Sequence, residues 1–234
     1  MDLKGIEITW LGHAAFRFRT SDGTTVFVDP WLTNPSAPEG AKDQDRADAV
    51  FVTHGHFDHV GDTLDLVKAT GAKLFCIHEI SVWAEAQGVS EPVGCNKGGT
   101  LEAPGGIRAT MVDAVHSSGI SGDQGIVPGG EAAGWVLEFP GGPTVYHAGD
   151  TMVFGDMALI GELFRPDIAL LPIGGWYTMD PRQAAKAGQL LGVSTVIPMH
   201  YRTFPILAGT PEELKHHAGA AFEVATLEIG RPLS

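Results

Sequence analysis

The stretch Thr53-His54-Gly55-His56-Phe57-Asp58-His59 places four side chains with metal-ligand chemistry within six residues. It closes Ala49–Thr53, an apolar run with the length and composition of a buried strand. His54 and His56 are two apart, so in extended backbone they project to the same side. Asp58 and His59 follow in a turn entering the next helix, where the chain can fold back. Such spacing lets one short loop serve two neighbouring cations. Imidazole and carboxylate suit zinc, manganese or iron, and the lack of thiolates argues against a closed structural zinc site. The competing account, a solvated histidine-rich loop, requires a chance clustering that this composition makes rare.

Outward from this stretch, three more polar residues end apolar segments. His116 follows Ile107–Ala114, Asp150 follows Thr144–His147, and His200 follows Thr195–Met199. A lone histidine is ordinarily a core or surface residue. Three such residues at strand ends are a stronger case, because layered α/β proteins assemble their sites at the C-terminal edges of strands. With the first cluster they form a donor set sufficient for two divalent ions, for which Zn²⁺ and Mn²⁺ are the expected metals.

The rest of the chain reads as short strands and helices. Strands are expected at Ile6–Leu11, Phe16–Thr20, Thr24–Asp29, Ala49–Thr53, Lys73–Ile77, Ile107–Ala114, Gly134–Phe139, Thr144–His147, Ile168–Ile173 and Thr195–Met199, with a last one at Val224–Ile229. Helices are expected at Asp62–Ala69 before Gly71, at Glu79–Ala86 before Gly88, and at Asp156–Leu163. Two more start at Asp180-Pro181 and Pro211, where proline occupies the first helical position. The two halves share this rhythm, which predicts an α/β protein of one domain over residues 1–234, with two sheets face to face between helical layers.

Composition narrows the function. With 15 basic and 28 acidic residues, the net charge of −13 argues against general binding to nucleic acid or to an anionic membrane. It leaves room for an anionic small-molecule substrate, because bound cations reverse the local field. The charged N-terminus Met1-Asp2-Leu3-Lys4 does not read as a signal peptide, and no apolar run has the length of a membrane span. Cys76 and Cys95 form no disulfide framework, which fits a reducing cytoplasm. Assembly into a homo-oligomer is compatible with the sequence.

His54-x-His56-x-Asp58-His59 followed by His116, Asp150 and His200 resembles the metallo-β-lactamase superfamily over almost the whole chain. Trp10-Leu11-Gly12-His13, Val28-Asp29-Pro30-Trp31, His147-Ala148-Gly149-Asp150-Thr151 and Pro198-Met199-His200-Tyr201 look like one branch. That branch contains small bacterial and archaeal metal-dependent hydrolases related to L-ascorbate-6-phosphate lactonase. The resemblance implies a four-layer αβ/βα sandwich with a dinuclear site at one edge of the sheets. It implies that His54, His56 and His116 bind one ion, that Asp58, His59 and His200 bind the other, and that Asp150 bridges them. The secreted β-lactamases of this fold carry a cysteine near the position of Asp150, and the tRNA-processing relatives carry a basic arm; neither is present. Phe57 puts a bulky ring where relatives often have a small residue.

A hydrolase of this kind uses a water activated between two ions as nucleophile and needs no serine or cysteine; no G-x-S-x-G occurs. The substrate is then a small ester, lactone or phosphoester. A nuclease or phosphodiesterase, and a non-catalytic metal-binding domain, are the alternatives. Asp58 and Asp150 are the candidate catalytic carboxylates. Asp29 is placed to orient a ligand imidazole, or else caps a turn before Pro30. His13 lines the site or is a buried structural residue. Ser117, Ser118 and Tyr201 are candidate substrate contacts, with loop polarity as the alternative, and Trp176-Tyr177 after Gly174-Gly175 reads as an aromatic loop at the pocket rim, with buried packing as the alternative. His78, His147, His216 and His217 are read as structural or surface residues.

Overall fold

A computed structural model describes residues 3–122 and 125–234. The N-terminal signal-peptide argument depends partly on Met1 and Asp2, which lie outside the described residues.

In chain order the strands of the first half are β1 (Glu7–Trp10), β2 (Phe16–Arg19), β3 (Thr25–Val28), β4 (Ala49–Phe51), β5 (Lys73–Ile77) and β6 (Val93–Cys95). The helices α1 (Phe57–Val60), α2 (Thr63–Thr70) and α3 (His78–Ala86) lie among them. The second half contains β7 (Thr100–Ala103), β8 (Ile107–Asp113), the hairpin β9 (Gly119–Gly122) and β10 (Gly125–Pro128), then β11 (Ala133–Glu138) and β12 (Thr144–His147). It continues through α4 (Met157–Phe164), β13 (Ile168–Pro172), α5 (Pro181–Leu191), β14 (Thr195–Met199), α6 (Pro211–Ala218), β15 (Glu223–Val224) and β16 (Pro232–Leu233).

Two mixed seven-stranded sheets result, ordered β16-β1-β2-β3-β4-β5-β6 and β15-β14-β13-β12-β11-β8-β7. They face each other with helices outside, giving the four-layer αβ/βα sandwich. Each sheet begins with antiparallel strands and continues as parallel ones, joined by helical crossovers except for the loop between β3 and β4. Large rings fill the space between the sheets. Phe51 of β4 stacks on Phe75 of β5 at 4.8 Å and meets Trp135 of β11, in the opposite sheet, edge-on at 5.0 Å. The Trp135 indole N–H donates to the Val52 carbonyl at 2.9–3.0 Å spacing typical of a backbone-grade bond, here 3.0 Å. Phe18 and Phe139 close a second contact at 5.5 Å.

Local signals explain most element ends. Asp180 caps α5 by accepting from the Gln183 N–H at 2.7 Å. Thr210 and Glu213 form a reciprocal capping box at the start of α6, and Gly71 closes α2 in the left-handed conformation. The expected last strand, Val224–Ile229, is corrected. Pairing with β14 stops at Val224, and the chain crosses to the other sheet, where Pro232–Leu233 pairs with β1. The short strands β6, β7, β9 and β10 carry little apolar alternation; long-range pairing rather than local pattern makes them strands.

The topology sets where a site can form. β1 and β2, and β2 and β3, are antiparallel while β3 and β4 are parallel, so β1, β3 and β4 run in one direction. By the same count β8, β12 and β14 run together. The residues just past their C-terminal ends are His13, Asp29, His54, His116, Asp150 and His200.

Phe51→Ala removes the ring that ties one sheet to the other, and should destabilise the fold by about 3–4 kcal/mol with activity of the surviving folded fraction retained. Urea unfolding of wild type and variant measures this; a loss below about 1 kcal/mol would mean that the inter-sheet contact is not where the core is anchored.

Candidate metal centre

All seven candidate ligands converge at one edge of the sandwich. His54 Nε2 lies 3.0 Å from His56 Nδ1, and His116 Nε2 lies 3.3 Å from the same His56 atom. A second group joins His13, Asp58, His59 and His200 through side-chain atoms within 4.8 Å of one another. Asp150 stands between the two. Its Oδ2 is 3.1 Å from His200 Nε2 and 3.6 Å from His116 Nε2, and its Oδ1 is 3.3 Å from His59 Nε2.

Strained backbone accompanies this convergence. His13, Asp29 and His200 adopt φ of +51°, +48° and +54°, a region that side chains other than glycine seldom occupy. Gly149, at φ +60°, could not carry a side chain: a Cβ would lie 2.8 Å from Thr53 Cβ and 2.8 Å from the Ala133 carbonyl. The two sheets are pressed together directly beneath Asp150.

A layer of hydrogen bonds orients the imidazoles. The buried Asp29 carboxylate accepts from the Thr53 N–H at 2.8 Å, the Thr53 hydroxyl at 2.6 Å and His59 Nδ1 at 2.7 Å. The Thr53 oxygen, having donated its hydrogen to Asp29, accepts from His54 Nδ1 at 3.0 Å. His54 therefore holds its proton on Nδ1 and turns a bare Nε2 inward, while the bond to Asp29 keeps a proton on His59 Nδ1 and directs its Nε2 inward. His13 lies between Thr203 Oγ1, 2.9 Å from Nδ1, and Asp58 Oδ2, 3.0 Å from Nε2. Asp58 accepts, so His13 Nε2 carries the hydrogen and Nδ1 accepts from Thr203. His147 donates to the Ala14 carbonyl and accepts from the Gly149 N–H, tying the Asp150 loop to the first sheet.

Charge separates the two groups. Burial, then the neighbouring His59 charge, holds His54 and His56 below the ordinary imidazole value; burial also lowers His116. Burial and the His200 charge bring His13 down to about 4. Burial would lower His59 and His200 too, but the Asp150 carboxylate outweighs it, helped by Asp29 at His59 and by Asp58 at His200; His59 is raised and His200 reaches about 9. Burial pushes Asp58 and Asp150 up, and the surrounding histidines more than reverse it, so both are ionised.

This donor set fits divalent cations. Three neutral imidazoles direct nitrogen atoms at one point, and a tetrahedral ion with Zn–N bonds of about 2.0–2.1 Å requires N···N spacings of about 3.3 Å. The observed 3.0 and 3.3 Å are close to that. Facing lone pairs repel unless a cation lies between them. On the other side, His59 Nε2, His200 Nε2 and Asp150 Oδ1 are buried without a hydrogen-bond partner, a condition that a bound ion would relieve.

The remaining candidates separate. Ser117 lines the cavity above this centre, with its Oγ 3.2 Å from His56 Nε2. Ser118 is buried and structural, accepting from the Gly55 N–H and donating to the Gly129 carbonyl. Tyr201 is corrected: it is buried against Trp10, with ring centroids 5.3 Å apart, and faces the core. Of the aromatic pair Trp176-Tyr177, Tyr177 lines the cavity, while Trp176, at φ +62°, is 75% exposed outside it. Sequence reasoning missed Thr53, Thr203, Ile126, Phe204 and Ile206; none belongs to a periodic pattern, and each reaches the site from a loop or a weak hairpin.

Residues 24–201 match the family model of a beta-lactamase superfamily domain. A UPF0173 metal-dependent hydrolase of Koribacter versatilis is 52% identical over 92% of both chains. One from Rubrobacter xylanophilus is 48% identical over 99% of this chain and 97% of its own length. A solved metallo hydrolase of the archaeon Ignicoccus hospitalis superposes with a TM-score of 0.84 at 40% identity, covering 97% of each chain. The chain belongs to the metallo-β-lactamase superfamily and, within it, to the UPF0173 metal-dependent hydrolases.

The His200 proton gives a stability signature in metal-free protein. Its pKa is about 9 when folded and 6.5 otherwise, so the associated stability is complete below about pH 6.5 and is lost as pH rises toward about 9. Chelator-treated protein should lose at least about 2 kcal/mol between about pH 6.5 and 8.5 in urea unfolding, His59 acting in the same direction as His200. An unchanged unfolding free energy across that window would show that the proton is not held there.

Proposed function

We propose that this enzyme holds two divalent ions and hydrolyses a small ester or lactone. One observation carries the proposal: two groups of inward-facing donor atoms flank a single buried carboxylate at the floor of an open cavity. His54, His56 and His116 are assigned to one ion, and Asp58, His59 and His200 to the other. Asp150 is shared, since its two oxygens approach His59, His116 and His200. The preponderance of imidazole among these donors favours Zn²⁺ or Mn²⁺. When bound, such ions polarise the scissile carbonyl and lower the pKa of water enough to supply a nucleophile at neutral pH.

The chain's own residues set the geometry for that chemistry. Asp29 holds His59 directly and His54 through Thr53, fixing which nitrogen each presents. His13 orients the Asp58 carboxylate and is itself held by Thr203. Asp58 is ionised, lines the cavity and is held by His13, so its carboxylate can accept a hydrogen bond from a water there and orient it. Ser117 lines the same cavity, within reach of a bound substrate. Among the described residues no helix is long and apolar enough to cross a membrane. Both thiols are unpaired, with Cys76 buried, and this supports a reducing cytoplasm as the compartment.

Purified protein should contain two ions per chain, and a strong chelator should abolish hydrolysis of simple esters. Asp150→Asn keeps the side-chain volume but removes the shared charge. It should weaken retention of one ion and lower turnover by at least about 10²-fold. Elemental analysis and turnover, measured against metal concentration, test this together. Two tightly held ions with near-normal turnover in Asp150→Asn would remove Asp150 from the bridging role, and chelator-insensitive turnover would overturn the metal-dependent reading.

A further inference from the structure

We infer that the natural substrate is an uncharged ester or lactone bearing an apolar chain, seated on a hydrophobic wall beside the metal centre. The inference rests on the hydrolase reading above and specifies its substrate class.

The cavity over the centre has a volume of about 670 Å³, within the range of small-molecule sites. His56, His116, Asp150 and His200 form its polar floor; Phe57, Ile126, Tyr177, Phe204 and Ile206 supply most of the remaining lining, with Asp58, Ser117 and Ser121 among them. Trp31 stands behind one side, with ring centroids 5.6 Å from Phe57 and 6.0 Å from Phe204, so the two cavity-lining rings share one aromatic support. Across the centre, the β9–β10 hairpin contributes Ile126. A Cβ on Gly119 would lie 2.5 Å from Ile126 Cγ2; glycine at that position lets the isoleucine fold over the hairpin backbone.

These apolar groups are unusually open to solvent. Ile126 is 79% exposed, Tyr177 60% and Phe57 58%. Of the exposed large apolar side chains among the described residues, Phe57, Ile126, Tyr177 and Ile206 gather in the lining of this one cavity. Single exposed apolar residues need no explanation, but a concentration around a polar floor marks a binding surface for apolar matter.

Charge selects against the alternative. Among the described residues lining the cavity there is no lysine or arginine, whereas Asp58 and Asp150 both face it. Arg202, close in sequence to His200, is directed toward Glu212 and lies over the Tyr201 ring. A phosphate or carboxylate remote from the scissile bond would therefore meet no cationic side chain on these walls, in a protein of net charge −13. The reaction is simple hydrolysis: the water oxygen bonds to the carbonyl carbon, the acyl C–O bond breaks, one proton ends on the alcohol, and the new carboxylic acid releases the other.

The test uses the metal-loaded full chain. Ester series from acetyl to octanoyl, and from ethyl to octyl acetate, should show kcat/KM rising about 3-fold per added methylene in at least one series, because each buried CH₂ contributes to binding. Replacing the terminal methyl of the better octyl-length substrate by a carboxylate should lower kcat/KM by at least 10-fold. Ile126→Glu should reduce the per-methylene gain. Binding is read separately by calorimetry with acetohydroxamate, hexanohydroxamate and octanohydroxamate, whose affinity should tighten along the series. A flat series in both turnover and binding, or a preference for the terminal carboxylate, would overturn the inference while metal-dependent acetate hydrolysis leaves the hydrolase assignment standing. Chain-length-dependent binding without any ester turnover would support the apolar wall and remove ester hydrolysis instead.

Discussion

The carboxylate of Asp29 is the contact on which the centre depends. It is fully buried, which is tolerable only because every direction around it is occupied by a donor: the Thr53 N–H, the Thr53 hydroxyl and His59 Nδ1. Those three bonds join the ends of β3 and β4 and pass through Thr53 to His54. They also orient two imidazoles, and so decide which nitrogen atoms face inward. Without an acceptor at this point, nothing would hold His59 Nε2 and, through Thr53, His54 Nε2 toward the centre.

Sheet direction supplies the other half of the construction. Strands β1, β3 and β4 end at one edge of the first sheet, and β8, β12 and β14 end at the matching edge of the second. The sheets are held face to face by rings such as Phe51 and Trp135, so the loops beyond those strands have to share one small space. The left-handed backbone at His13, Asp29 and His200 is the conformational expense of turning so many chains into that space. It persists because the packed sandwich below is stiff enough to impose it.

Electrostatics then divides the centre into unlike halves. His54, His56 and His116 are neutral and already shaped as ligands, while His59 and His200 are held as cations by Asp150. The protons on those imidazoles compensate the buried carboxylates. In the proposed assignment an ion bound on that side would exchange those protons for metal charge, which would make it the more pH-dependent half.

Much of this was legible in the residue order. His54-x-His56-x-Asp58-His59 stands out as a donor cluster because chance rarely spaces such side chains so closely, and His116, Asp150 and His200 stand out by ending apolar strands. The helix starts at Asp180 and Thr210 were equally plain, since capping is a contact between residues three apart. Other features were not. Tyr201 and Trp176 stand beside site residues in sequence yet point elsewhere, because the sign of φ at one position reverses the direction of the next side chain. Ile126, Phe204 and Ile206 carry no local pattern and become a wall only when a hairpin and a loop from the second half meet Phe57 from the first. The sequence by itself determined the type of donor side chain in the first cluster and the alternation of strands and helices, because both are encoded over spans of a few residues. The tertiary structure alone decided which nitrogen of each imidazole faces inward, which carboxylate lies between the two groups, and what surface a substrate meets, because each depends on contacts between residues tens of positions apart.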